Sequence, residues 1–137
     1  MNKIVDKFSL QNSLLNFISN NEINFKNSAR KGLEVYKKNI ECIVDICIQR
    51  NIKVILSTYC YKKNQTQLSK KIKKIIDKEN LVMKQIAKNK KVFFVDNNKL
   101  IKKNNNNFLD TVHFTPDGMK NIAKNFKPFV LKCLKKI

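Results

Sequence analysis

The chain has 137 residues, enough for one domain with a modest core, and nothing in its pattern asks for a second. Its 29 Lys and Arg against 10 Asp and Glu give a formal net charge of +19, which draws polyanions to any surface whatever the fold. That charge does not define a nucleic-acid site. Arg30 and Arg50 are the only arginines, the lysines run from Lys3 to Lys136 among many Asn and Ile, and bidentate reading of phosphates and bases favours arginine.

Cys42, Cys47, Cys60 and Cys133 have no Cys-x-x-Cys spacing, and each sits in an apolar context, so buried free thiols are expected and neither a metal nor a cofactor is. No apolar run approaches the about 18 residues that span a bilayer. Met1 to Leu10 lacks the small-residue cleavage pattern of a signal peptide, so the chain as written is expected to be cytoplasmic, an expectation that a preceding segment would change.

In chain order, Leu10, Leu14, Leu15, Phe17 and Ile18 give a short helical stripe, and the polar run Asn20 to Asn27 reads as a loop. From Ala29 to Arg50 apolar residues recur at steps of three and four (Leu33, Tyr36, Ile40, Ile43, Val44, Cys47), which predicts an amphipathic helix ending at Asn51. Lys53 to Tyr59 is a β-branched apolar run of the kind buried in a parallel sheet. A polar loop at Lys62 to Gln65 precedes a second helical pattern, Leu68 to Asn89, with a break near Asp77 to Asn80 as the alternative to one continuous helix.

Lys91 to Asp96 reads as the second strand. Asp96 falls at its carboxyl end, as a functional carboxylate or as a turn cap. The run Lys102 to Asn107 reads as a mobile polar loop. The last helix is expected from Pro116 to Leu134, with Met119, Ile122, Ala123, Phe126, Phe129, Val130 and Cys133 inward and a kink at Pro128. Helix, strand, helix, strand, loop, helix is an α/β order with parallel strands, and two strands make a small sheet for it.

The chemistry-bearing segment is Asp110-Thr111-Val112-His113-Phe114-Thr115-Pro116-Asp117-Gly118. His113 is the only histidine, the side chain best suited to move protons near neutral pH, and a carboxylate three residues earlier can fix its tautomer. Thr115 reads as a helix N-cap, Pro116 as the first helical residue, and Asp117 sits against the positive end of the helix dipole. The alternative is a polar loop residue beside a helix-entry acid.

This block resembles the last conserved block of the SGNH hydrolases, the GDSL esterase and lipase family: Asp-x-x-His followed by a Thr-Pro-x-Gly helix start. The helix to Arg50 and the strands at Val54 to Thr58 and Val92 to Asp96 follow the order found there, so the resemblance covers roughly residues 30 to 137. It implies a three-layer, flavodoxin-like α/β fold, incomplete here, with parallel strands near 53–59 and 92–96 flanked by helices. Residues 1–28 would be an N-terminal helix and variable loop, and 29–137 the C-terminal part of the domain.

The resemblance further implies that Asp110 and His113 are the acid and base of a Ser-His-Asp triad for acyl-ester hydrolysis, with a small ester, lipid or acylated sugar as substrate. The family's Gly-Asp-Ser nucleophile block and its Gly and Asn blocks have no counterpart: Gly32 and Gly118 are the only glycines, and neither precedes Asp-Ser. Ser9, Ser13, Ser19 and Ser28 lie in polar or helical contexts, so no nucleophile is nominated. The isolated chain is therefore expected to be inactive, as a truncated or split hydrolase. Loss of a neighbouring strand predicts self-association through an open sheet edge. The competing readings are a non-catalytic α/β binding or assembly module and a basic nucleic-acid-binding protein.

Overall fold

The computed structural model describes residues 22–62 and 67–135. The helical stripe expected at Leu10 to Ile18 lies outside the described residues. The chain divides into two units, Met1–Val35 and Tyr36–Ile137, and helix α1 (Glu22–Gln49) runs through the division. Within the first unit, α1 carries the exposed i,i+4 pair Arg30–Glu34.

Helix α1 starts seven residues before the expected Ala29, so Glu22 to Ser28 is helix and not loop. Polar composition alone does not stop a helix: no Gly or Pro interrupts this stretch, and Lys, Glu and Asn lose only a few tenths of a kcal/mol to roughly 0.7 kcal/mol against Ala. The stop at Asn51 holds. Asn51 adopts φ 57°, Asn51 N–H donates to Ile48 C=O at 3.0 Å, and Ile52 N–H donates to Cys47 C=O at 2.8 Å. This is a Schellman closure, in which a left-handed residue satisfies the last carbonyls of the helix.

Strands β1 (Ile55–Ser57) and β2 (Phe93–Val95) pair in parallel, in register Ile55 to Phe93, Leu56 to Phe94 and Ser57 to Val95. They are shorter than the expected 53–59 and 92–96, because a ladder ends where backbone partners end. Phe93 N–H reaches Val54 C=O and Thr58 N–H reaches Val95 C=O as the last rungs; the backbone groups of Tyr59 face away from β2 and go to a side chain. Between the strands runs α2 (Gln67–Asn89), which packs across both of them.

Helix α2 has no break at Asp77 to Asn80. Asp77 and Asn80 bond the segment after β1, and Asp77 also pairs with Lys73 one turn earlier. It ends as α1 does: Lys91 takes φ 54°, Lys91 N–H donates to Lys88 C=O, and Val92 N–H to Ala87 C=O. Lys90 Nζ then binds Asp45 of α1 at 2.6 Å.

A four-residue helix α3 (Asn97–Leu100) follows β2, and α4 (Pro116–Leu134) packs on β2 and α3. Thr115 is the N-cap of α4: its Oγ1 accepts from Gly118 N–H, with Pro116 in the first turn as expected. The helix runs through Pro128 to Leu134. Its inward face is narrower than expected. Ile122, Phe126, Phe129 and Cys133 are half-buried, whereas Met119 (55% exposed), Ala123 and Val130 face out, because β2 and α3 offer only a narrow stripe to cover.

The core holds Val44, Leu56, Ile76, Val82, Ile86 and Val95, and extends to a cluster of Cys60, Ile101 and Phe108 backed by Phe114 and Ile122. Of the four cysteines only Cys60 is fully buried; Cys47 and Cys133 are half-buried and Cys42 is exposed, since helix residues near a small sheet keep one side in water. Burial pushes the Cys60 thiol up to about 11, with Lys103 opposing and Asp96 adding to it, so it stays protonated.

The run Lys102 to Asn107, expected to be mobile, is a hydrogen-bonded turn. Asn107 N–H and Phe108 N–H reach Asn104 C=O, and buried Asn107 donates from Nδ2 to Lys102 C=O and accepts at Oδ1 from Asn121 of α4. Asparagine side chains close turns by bonding nearby backbone, a role composition does not reveal. Among the described residues no helix is long and apolar enough to cross a membrane.

Candidate active site

Two anchors hold the loop from Leu109 to Phe114. Phe108 is buried and its ring meets that of Phe114 at 4.7 Å, while the two residues form an antiparallel bridge and Leu109 N–H donates to His113 C=O at 2.9 Å. On the far side, Thr115 donates through its hydroxyl to Asn106 C=O and through its N–H to Asn107 C=O. Gly118 completes this seat: a Cβ there would stand 2.1 Å from Asn107 C=O, so the first turn of α4 approaches the Asn turn only because residue 118 has no side chain.

Within the loop, Asp110 and His113 come together. Asp110 Oδ1 accepts the backbone N–H groups of Val112 and His113, each at 2.8 Å, and Oδ2 lies 2.7 Å from His113 Nδ1. The first two bonds form an Asx-type turn that fixes the carboxylate, and the third sets the ring. Burial works to raise the Asp110 carboxyl, but the backbone and ring bonds from His113, and the Val112 N–H, outweigh it and hold the group down at about 2.

An ionised carboxylate accepts and cannot donate, so the proton of a neutral His113 ring belongs on Nδ1 and Nε2 keeps its lone pair. The two side chains are open to solvent, His113 at 70% and Asp110 at 54% exposed. Beside the loop, at the carboxyl ends of the strands, lies a cavity of about 310 Å³. Phe114, the residue after His113, and Tyr59 line it, with Met83, Ile122 and Phe126 forming apolar wall and Ser57 and Asn97 at the strand ends. That is the end of an open parallel sheet where ligands collect.

Asp96 takes the alternative of its two expected roles. It caps α3, accepting from Lys99 N–H, and accepts Thr58 Oγ1–H at 3.0 Å, which ties the ends of β1 and β2 together. Asn97 extends the tie, donating to Ser57 Oγ and accepting from Asn125 of α4. Sequence reasoning missed Asn97, Asn107, Asn80 and Tyr59, each of which has a partner 14 to 53 positions away that leaves no local signal. Among the described residues no group of three or more acidic, His or Cys side chains is placed to hold a metal ion.

The family model described as GDSL-like Lipase/Acylhydrolase matches residues 9–126, and the chain belongs to this family. The match begins well upstream of residue 30, where the likeness legible in the sequence starts. The small parallel sheet flanked by helices is consistent with the family's α/β fold, in incomplete form among the described residues. No curated protein and no solved structure matches the chain.

Proposed function

We propose that Asp110 and His113 are the acid and base of a serine-dependent acyl-ester hydrolase. The observation that carries this reading is the 2.7 Å bond from His113 Nδ1 to a carboxylate already fixed by two backbone N–H groups, in a chain of the GDSL-like family. His113 Nε2 accepts the proton of a serine hydroxyl as its oxygen attacks the ester carbonyl. The imidazolium then returns that proton to the leaving alcohol, and Asp110 remains ionised throughout, holding the ring and stabilising its charge. The cavity beside Phe114 receives the acyl part of a small ester, a lipid or an acylated sugar.

The chain has no Gly-Asp-Ser block, so the hydroxyl and the oxyanion donors come from a separate segment, and the chain alone is inactive. The same absence favours a second reading, a non-catalytic module that keeps the scaffold. Hydrolysis of p-nitrophenyl butyrate by the chain mixed with a Gly-Asp-Ser-bearing N-terminal half of another family member separates the two. Activity that appears only on mixing and falls by about 10³- to 10⁴-fold in His113→Ala and Asp110→Asn supports the hydrolase. A mixture whose activity ignores His113→Ala, or that never gains activity, leaves the binding module.

A further inference from the structure

We infer that Asn80, buried on α2, is a positioning residue for the Asp110–His113 loop and acts on it through Tyr59. The inference rests on the reading of that pair as the acid and base. The Asn80 carboxamide engages both backbone groups of Tyr59, accepting its N–H at 2.7 Å and donating to its C=O at 2.8 Å. Tyr59 is the residue at which the β1 ladder has ended, so these groups have no strand to meet on that side among the described residues. Asn80 supplies the bonds a neighbouring strand would otherwise make.

The held segment then grips the loop at two successive carbonyls. Tyr59 Oη donates to Val112 C=O at 3.3 Å, and Lys62 N–H donates to Thr111 C=O at 2.8 Å. Tyr61 adds a second tether to α2 by donating from Oη to Asp77 Oδ1, one turn before Asn80. Val112 is consequently fixed from both directions: its C=O by Tyr59 and its N–H by Asp110 Oδ1. Because Val112 N–H and His113 N–H share that oxygen, the orientation of this peptide decides whether Oδ2 faces the ring. Helix α2 thus sets the geometry of the pair without touching it.

The test uses the ring nitrogens of His113, whose signals are unambiguous because the chain has one histidine. With the ring neutral, ¹⁵N shifts distinguish the Nδ1–H tautomer, which the bond to Asp110 selects, from the Nε2–H tautomer that an unrestrained imidazole prefers. The native chain is expected to show Nδ1–H. Asn80→Ala and Tyr59→Phe are expected to lose that signature in favour of Nε2–H, while Val82→Ala, which loosens α2 in the core without reaching the loop, keeps it.

Folded Asn80→Ala and Tyr59→Phe chains that retain the native shifts overturn the inference, as does a Val82→Ala chain that loses them equally. If Asn80→Ala does not fold, Tyr59→Phe alone decides, since it removes one surface hydroxyl. Native protein lacking the Nδ1–H signature instead overturns the pairing itself and with it the proposed function.

Discussion

Both carboxylate oxygens of Asp110 are committed to His113: Oδ1 to its backbone N–H and Oδ2 to its ring. The acid therefore fixes where the histidine backbone runs as well as which nitrogen bears the proton. Both contacts are made within one loop, because the acid precedes the histidine by three residues.

The Asp110 carboxyl lies at about 2 in the folded chain against an ordinary value of 3.8. A carboxyl depressed by folding contributes stability that is fully present above its unfolded value and is lost as pH falls through its folded one. The expected outcome is a loss of stability between about pH 4 and pH 2 that Asp110→Asn does not show. Urea midpoints measured across that range check it, and parallel curves for the two proteins would remove the argument.

Gly118→Ala is expected to destabilise the chain by about 1–3 kcal/mol, the scale of inserting a methyl group into filled space. The added Cβ would fall on Asn107 C=O, so α4 must move off the Asn turn and take the loop with it. Thermal denaturation measures the loss. Gly32, whose Cβ would meet nothing within 4 Å, is the control, and Gly32→Ala should raise stability by about 1 kcal/mol.

Lys91 holds a left-handed conformation to close α2, a position where a side chain meets the carbonyl that follows it. Lys91→Gly is expected to stabilise the chain by about 0.5–1 kcal/mol, despite the greater freedom glycine brings to the unfolded state. An unchanged or lower denaturation midpoint would show that the Schellman closure carries no strain here.

The outer edge of β1 should drive self-association. Backbone groups of a strand alternate in direction, and those of Val54 and Thr58 point to β2, so Ile55 and Ser57 face the other side, where the described residues offer no strand. The charge of +19 opposes association, and added salt weakens that opposition. Sedimentation is expected to show more oligomer at about 0.5 M than at about 0.05 M salt, where the screening length is several-fold longer. Ile55→Lys should suppress it, and a monomer under both conditions would mean that the edge is covered.

What the sequence determined by itself is local. The apolar period of α1 and α2, the β-branched runs of β1 and β2, and the Thr115-Pro116 entry to α4 each follow from forces acting over a few residues, and so does the short spacing of Asp110 and His113. Tertiary structure decided the rest, because backbone groups left over at a strand end or a turn must find partners wherever the fold brings them. Asn80 on Tyr59, Asn107 under Gly118 and Tyr59 on Val112 are such partners, and an asparagine that closes one of these contacts reads in the sequence like any other asparagine of a polar loop.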